Sequence, residues 1–267
     1  MPELPEVETL RRALAQELEG RTLNALKIYE PRLLQNASEQ TLQRALVGRR
    51  LRAVKRRAKF LLFDFGENTV ILHLRMTGWL TLSPIENPRF VFEFTGNKTL
   101  YFHDTRRLAT LHLVPSAHAH ELPPLAALGI EPFQPSYTFK NFRALLQTDQ
   151  EIKRLLLDQR KIAGIGNIYA CEALFASKIH PRRPAMSLSR SEARRLFAQI
   201  EKVLAQAIAK QGTSVRTYRG LTGEPGGFQN FLKVYDRAGE PCVRCRTPIV
   251  RIEQGGRGTY FCPQCQS

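Results

Sequence analysis

The segment CVRCRTPIVRIEQGGRGTYFCPQC, Cys242 to Cys265, decides most of what can be read about the fold. Cys242-x2-Cys245 is followed by sixteen residues and then by Cys262-x2-Cys265. Each C-x2-C turn presents two thiolates to one ion, and two such turns close a tetrahedral four-sulfur zinc site. Four sulfurs leave no coordination position open, so the zinc is expected to be structural. Two disulfides or four reduced thiols are the alternatives that the spacing leaves. The fifth cysteine, Cys171, stands alone upstream, so no disulfide framework is suggested elsewhere. Arg244, Arg246, Arg251 and Arg257 lie between or beside the ligands and make this tail basic.

Upstream of the tail the periodicity is helical. Phe139, Phe142, Leu145 and Leu146 share one face, and Ile152, Leu155 and Leu156 the next. A Gly164-Ile165-Gly166 break precedes a helix over about Asn167–Ser177. Ser189-x-x-Glu192 is a capping box opening a long helix that runs through Leu196, Ile200, Val203, Leu204 and Ile208 and stops at Gly212. Further upstream, Pro115–Pro135 carries five prolines and reads as a linker. Before it, Val7, Leu10, Leu14 and Leu18 mark a helix within Glu6–Glu19. Six β-like runs follow: Lys59–Phe65, Thr69–Leu74, Trp79–Leu82, Phe90–Phe94, Thr99–His103 and Ala109–Val114. Thr95-Gly96-Asn97-Lys98 between two of them is a hairpin turn. The expected chain is α+β and multidomain: a β-sandwich or barrel domain with flanking helices over 1–114, a linker over 115–135, a helical domain over 136–233 and a metal-bound tail over 234–267.

The chain has 267 residues, is 43% hydrophobic and 24% charged, and can bury a real core. No apolar run approaches the roughly 18 residues that span a bilayer. The N-terminus lacks the apolar stretch of a secretory signal, so the expected location is the cytosol. Forty Lys+Arg against twenty-four Asp+Glu give +16. Such an excess points to a polyanion, nucleic acid before an anionic membrane surface, since no basic amphipathic helix or lipidation signal is evident.

Seven cations, Arg49, Arg50, Arg52, Lys55, Arg56, Arg57 and Lys59, fall within eleven residues. A charge run is usually a solvated face, but Lys59 opens an apolar run, which suits a cleft edge. The start, MPELPEVET, also reads two ways. Early prolines and the carboxylates Glu3, Glu6 and Glu8 are what a first helical turn prefers. Alternatively, loss of Met1 makes Pro2 a secondary α-amine, a kind of group that titrates at about 7.7–8.0 and is partly neutral at neutral pH. It is then able to attack a sugar aldehyde carbon, with Glu3 shuttling protons.

MPELPEVET, the His73-Leu74-Arg75-Met76-Thr77-Gly78 turn, the Gly164-Ile165-Gly166-Asn167-Ile168-Tyr169 junction and the four-cysteine tail occur in one order. Together they resemble the formamidopyrimidine-DNA glycosylase family over essentially the whole chain. The resemblance implies an N-terminal β-sandwich, a helix–two-turns–helix domain and one structural zinc finger. It implies a monomeric, bacterial cytosolic base-excision repair enzyme acting on damaged duplex DNA, a glycosylase and abasic-site lyase for 8-oxoguanine and formamidopyrimidines. Pro2 would be the nucleophile, Glu3 the proton shuttle and Glu6 a supporting carboxylate. Lys59, His73, Asn167 and Arg257 match phosphate-gripping positions, Lys59 and Arg257 also proton donors for elimination, and Lys153 a further functional lysine. Met76 and Arg106 match residues that fill the void left by the extruded base. Thr213, Ser214, Val215, Arg216, Thr217 and Tyr218 match the loop that covers the lesion. The sequence departs from the family where Leu108-Ala109 follows Arg106-Arg107 in place of Phe-Gly, an aliphatic wedge without a stacking face. The PELPE start and the Met76 turn favour this purine branch over the endonuclease VIII branch, which prefers oxidised pyrimidines. A non-catalytic zinc-ribbon nucleic-acid binder would explain the charge and the finger, yet it gives Pro2-Glu3 no role beyond capping.

Overall fold

The structure is a computed structural model, and it describes residues 2–214 and 218–267. The chain divides into two compact units. The first takes the chain up to Ala126 and again from Lys210 to Gln229; the second takes Ala127–Ala209 and Asn230–Ser267.

In the first unit, helix α1 (Leu4–Leu18) buries Val7, Leu10, Leu14 and Leu18, the apolar face expected from their spacing. Strand β1 (Leu23–Ile28) and helix α2 (Glu39–Leu46) follow, then β2 (Ala53–Arg57), β3 (Phe60–Asp64), β4 (Asn68–His73), β5 (Gly78–Thr81), β6 (Phe90–Phe94), β7 (Lys98–Asp104) and β8 (Thr110–Pro115). Two four-stranded antiparallel sheets form, one in the order β1-β6-β7-β5 and the other β2-β3-β4-β8. Their inward side chains, among them Leu26, Phe90, Phe92, Leu100 and Phe102 from one and Val54, Leu61, Phe63, Val70 and Leu72 from the other, make one core that also takes the apolar face of α1. This is the sandwich. The β6–β7 turn is the expected Thr95–Asn97 hairpin, with Phe94 paired to Lys98. Beyond β8 the chain makes a 3-10 stretch, Ser116–Glu121, and a single turn, α3 (Pro123–Ala126).

The six strands read from sequence are all present, and two more join them. β2 escapes a hydrophobic reading because three of its five residues are Lys or Arg and Val54 alone is fully buried. β1 escapes because its pairing with β6 shifts register between Leu23 and Ala25, which breaks the two-residue alternation.

The second unit holds α4 (Phe139–Leu145), α5 (Ile152–Leu157), α6 (Asn167–Ser177) and α7 (Arg190–Ala209). Helix α6 is enclosed nearly all round, eight of its eleven residues being buried. The α7 capping box is made as read: the Ser189 N–H donates to Glu192 Oε2 at 2.8 Å, and the Glu192 N–H donates to Ser189 Oγ at 3.2 Å. The tail is a two-stranded hairpin, β9 (Val250–Gln254) and β10 (Arg257–Phe261), set between the two cysteine pairs.

Candidate active site and nucleic-acid interface

Pro2 is buried immediately ahead of α1, and Glu3 is the helix N-cap. Glu3 and Glu6 form a capping box, and Glu6 Oε2 accepts the Glu3 N–H at 2.8 Å. The other oxygen of Glu6, Oε1, accepts the Thr213 N–H at 2.8 Å, and the Tyr218 hydroxyl donates to the Glu6 carbonyl at 3.4 Å. Glu6 is therefore shared between the N-terminal turn and the 212–218 loop, 207 residues apart along the chain. Gly212 makes this approach possible: its φ is +82°, and a Cβ there would stand 3.0 Å from the Glu6 carboxylate. Burial, reinforced by Glu6, pushes the Tyr218 phenol above its ordinary range, so it stays a neutral donor. Ser214 closes the loop base, its Oγ donating to the Tyr218 carbonyl at 2.7 Å. The proposed lesion-loop residues Val215, Arg216 and Thr217 lie outside the described residues.

Lys59 does not open β3 but sits with Ala58 in the two-residue turn between β2 and β3. It is only 5% exposed. The β3–β4 register sets Phe60 beside His73, whose ring it meets edge-on at 4.4 Å. Burial pushes the His73 imidazole down to about 3, and the cations of Arg75 and Lys59 act in the same direction. The ring is thus neutral at physiological pH. Because Nδ1 accepts the Arg75 N–H at 3.0 Å, the single proton must sit on Nε2. His73 can serve an anion as a neutral hydrogen-bond donor, without bringing charge to it.

Met76, Arg106 and Leu108 are all exposed, Met76 by 41% and Leu108 by 44%, so none of the three packs into the core. What holds them out is Asp104, itself 1% exposed at the end of β7. Its Oδ1 accepts from the Thr77 hydroxyl and from the Arg106 N–H, and its Oδ2 accepts the Leu108 and Ala109 N–H groups at 2.7 and 2.8 Å. Thr77 Oγ1 also accepts the Arg106 N–H, at 3.1 Å. One buried carboxylate therefore fixes both turns that carry the three protruding side chains. Sequence reasoning missed Asp104, and the signal available was an acidic residue directly ahead of a paired-arginine turn.

In the second unit Lys153 is fully buried. Its ammonium donates to Asn167 Oδ1 at 2.6 Å, to Thr259 Oγ1 at 2.6 Å and to the Gly258 carbonyl at 3.5 Å. Asn167 Nδ2 donates to the same carbonyl at 2.8 Å. Lys153 thereby fixes which way the Asn167 amide faces at the start of α6 and joins it to β10 directly after Arg257. The lysine is thus an interior tether between Asn167 and the strand that carries Arg257, two of the phosphate ligands expected from the sequence. Arg257 itself is exposed.

The four cysteine Sγ atoms all lie within 4.8 Å of one another, with Cys245–Cys262 and Cys245–Cys265 at 3.4 Å and Cys242–Cys265 at 3.9 Å. Tetrahedral zinc–sulfur bonds of about 2.3 Å require sulfurs about 3.8 Å apart, so the donor set fits one zinc ion with no open position. Among the described residues this is the single metal-ligating cluster. Cys171 is buried in the apolar cluster behind it, with Phe175, Val234 and Ile249. Glu172, the next residue of α6, accepts the N–H groups of Lys233, Val234 and Tyr235, which fixes the approach to the finger.

A sandwich headed by Pro2-Glu3, a helical unit whose Gly164–Gly166 break leads into α6, and a four-cysteine finger define the class of helix–two-turns–helix DNA glycosylases. Family profiles agree: the formamidopyrimidine-DNA glycosylase N-terminal domain matches residues 1–111, its H2TH domain 128–219, and the zinc finger found in FPG and IleRS 239–267. The chain belongs to the formamidopyrimidine-DNA glycosylase family. It is 44% identical over 270 residues to the formamidopyrimidine-DNA glycosylase of Thermus thermophilus, covering 100% of this chain and 98% of that one. The crystal structure of the MutM (Fpg) protein from that organism superposes with a TM-score of 0.91 over 99% of this chain and 98% of that one. A Lactococcus lactis Fpg variant bound to Fapy-dG-containing DNA gives a TM-score of 0.92 at 36% identity, with all of both chains covered. A MutM bound to DNA containing carbocyclic 8-oxo-G gives 0.91 at 36% identity, again over all of both chains.

Proposed function

We propose that this protein excises oxidised purines, 8-oxoguanine and formamidopyrimidines, from duplex DNA and then cuts the strand at the resulting abasic site. The observation that carries the reading is the shared Glu6 carboxylate, which binds the backbone beside Pro2 with one oxygen and the 212–218 loop with the other. The same carboxylate thus serves the nucleophile and the cover of the lesion.

With Met1 removed, the Pro2 nitrogen attacks the deoxyribose anomeric carbon as the bond to the base breaks, and Glu3 passes a proton to the opening sugar ring. The product is an iminium between Pro2 and the sugar. Loss of a C2′ proton expels the 3′ phosphate, and loss of a C4′ proton then expels the 5′ phosphate. Lys59 and Arg257 donate protons in these steps, and with His73 and Asn167 they grip the phosphates around the lesion. Lys153 acts through Asn167. Met76, Arg106 and Leu108 enter the duplex where the base has left, and Thr213–Tyr218 covers the extruded base. The finger's zinc supplies folding free energy and no chemistry. The protein works as a monomer in the bacterial cytosol, with damaged DNA as its partner. Among the described residues, no helix is long and apolar enough to cross a membrane.

The test is borohydride reduction in the presence of a duplex carrying one 8-oxoguanine opposite cytosine, with mapping of the cross-link. A Pro2–sugar adduct, lost in Pro2→Gly, is expected. Trapping only on a duplex with an oxidised pyrimidine would move the protein to the endonuclease VIII specificity. Tight binding without any adduct would leave a non-catalytic binder.

A further inference from the structure

The basic run 49–59 looks uniform in sequence, but the fold sorts it. Arg49, Arg50, Arg52 and Lys55 are exposed, whereas the Arg56 side chain is 6% exposed and Lys59 5%. A buried guanidinium cannot track a phosphate backbone, so Arg56 needs another explanation. Its Nε donates to Glu8 Oε2 at 3.0 Å, and its Nη1 donates to the Ala58 carbonyl at 2.9 Å. Ala58 has φ +49°, a left-handed conformation unfavourable to alanine, and it is half of the turn whose other half is Lys59. The bond to its carbonyl holds that turn.

Glu8 belongs to α1, little more than a turn beyond the Glu3 cap. It also takes Arg11, at 2.9 Å, and Arg12, at 2.8 Å. Burial opposes ionisation of Glu8, but the three guanidiniums outweigh it and hold the carboxyl down at about 2. The bridge is therefore intact at any working pH. At the opposite end of α1, Glu19 Oε1 accepts the Val54 N–H at 2.7 Å, so β2 is pinned to the helix at two places.

We propose that Arg56 is the positioning residue for Lys59, a strut from α1 that sets the lysine in register with the Pro2 end of the same helix. This rests on the reading of Lys59 as a proton donor in strand elimination. Arg56 touches neither DNA nor the reacting atoms. Its removal lets the Ala58-Lys59 turn relax and misplaces the ammonium, while iminium formation at Pro2 continues.

The experiment compares Arg56→Met, Lys59→Met and the double variant on a duplex with one abasic site, scoring strand cleavage and borohydride-trapped adduct separately. Arg56→Met is expected to slow cleavage about tenfold through kcat, to change trapping less than twofold, and to add less than twofold to Lys59→Met. It should leave the salt dependence of binding unaltered, whereas loss of a phosphate contact would lower the slope by about 0.9. Arg56→Lys keeps the charge but has one nitrogen in place of the two, Nε and Nη1, that Arg56 sets on Glu8 and Ala58, so the same non-additive pattern is expected at about threefold if the methionine variant fails to fold. Equal losses in the wild-type and Lys59→Met backgrounds, or a reduced salt slope, would overturn the proposal. Full cleavage by Lys59→Met would instead overturn the reading of Lys59 on which it rests.

Discussion

Replacing Asp104 by alanine removes one carboxylate on which four donors converge, those of Thr77, Arg106, Leu108 and Ala109. Hydrogen bonds to a charged acceptor contribute roughly 1.5–3 kcal/mol each, and the loss is greatest where the stranded donor cannot reach water. Ala109 is 5% exposed, so its N–H bears the full loss. The Leu108 N–H lies on an exposed residue and recovers part of its bond from solvent, while Thr77 and Arg106 recover most of theirs. The sum is about 3 kcal/mol, confined to the turn, which corresponds to roughly two decades in a local opening constant. Hydrogen exchange followed by mass spectrometry should show the amides of 106–109 exchanging about 100-fold faster. Those of β6 and β7 away from the turn should keep their protection. In the same variant the preference for damaged over undamaged duplex should fall, because Met76, Arg106 and Leu108 no longer share a fixed platform. Unchanged exchange at 106–109 would refute the assignment of Asp104 as the organiser of these turns. An equal loss of protection across both sheets would make it a residue of the fold alone.

Zinc removal by a strong chelator should raise the number of thiols reacting with an aromatic disulfide from none to five, because collapse of the finger also uncovers Cys171 behind it; a plateau at four would separate Cys171 from that cluster. His73 titrates at about 3 in the fold against about 6.5 when unfolded, so its contribution is complete above pH 6.5 and is lost as pH falls from there toward 3. Comparison with His73→Gln by denaturant unfolding at pH 7 and pH 5 should show the unsubstituted protein losing about 2 kcal/mol more between them, and parallel losses would mean that the ring is not buried neutral.

The elements most legible in sequence were those whose pattern is carried by side chains facing one core. Val7, Leu10, Leu14 and Leu18 gave α1, and the Ser189–Glu192 pair gave the start of α7. The cysteine spacing alone gave the metal centre. What stayed hidden depended on backbone geometry or on distant partners. A register shift in β1, and a strand of cations in β2 recognisable only by its hydrogen-bonded neighbours, have no local pattern. Residue types at the site were recognisable, but their states were not. Nothing in the order of residues says that His73 is held neutral, that Lys153 is interior, or that two of seven neighbouring cations turn inward. Those properties come from what the fold packs around each group, and burial decides whether a basic side chain meets solvent, a carboxylate or a carbonyl.

The first compact unit is assembled from two separate stretches, and its second stretch emerges last. A ribosome making roughly 5–20 residues per second finishes the sandwich strands some 5–20 s before Lys210–Gln229 leaves it. During that interval the nascent chain has its amino-terminal helix, yet it lacks Gly212, Thr213 and Tyr218, which close on Glu6. The N-terminal turn is thus present early and completed late. Synthesis through residue 229 becomes the point at which the N-terminal turn acquires its final partners, and a prematurely terminated chain carries that turn with Glu6 still lacking Thr213 and Tyr218.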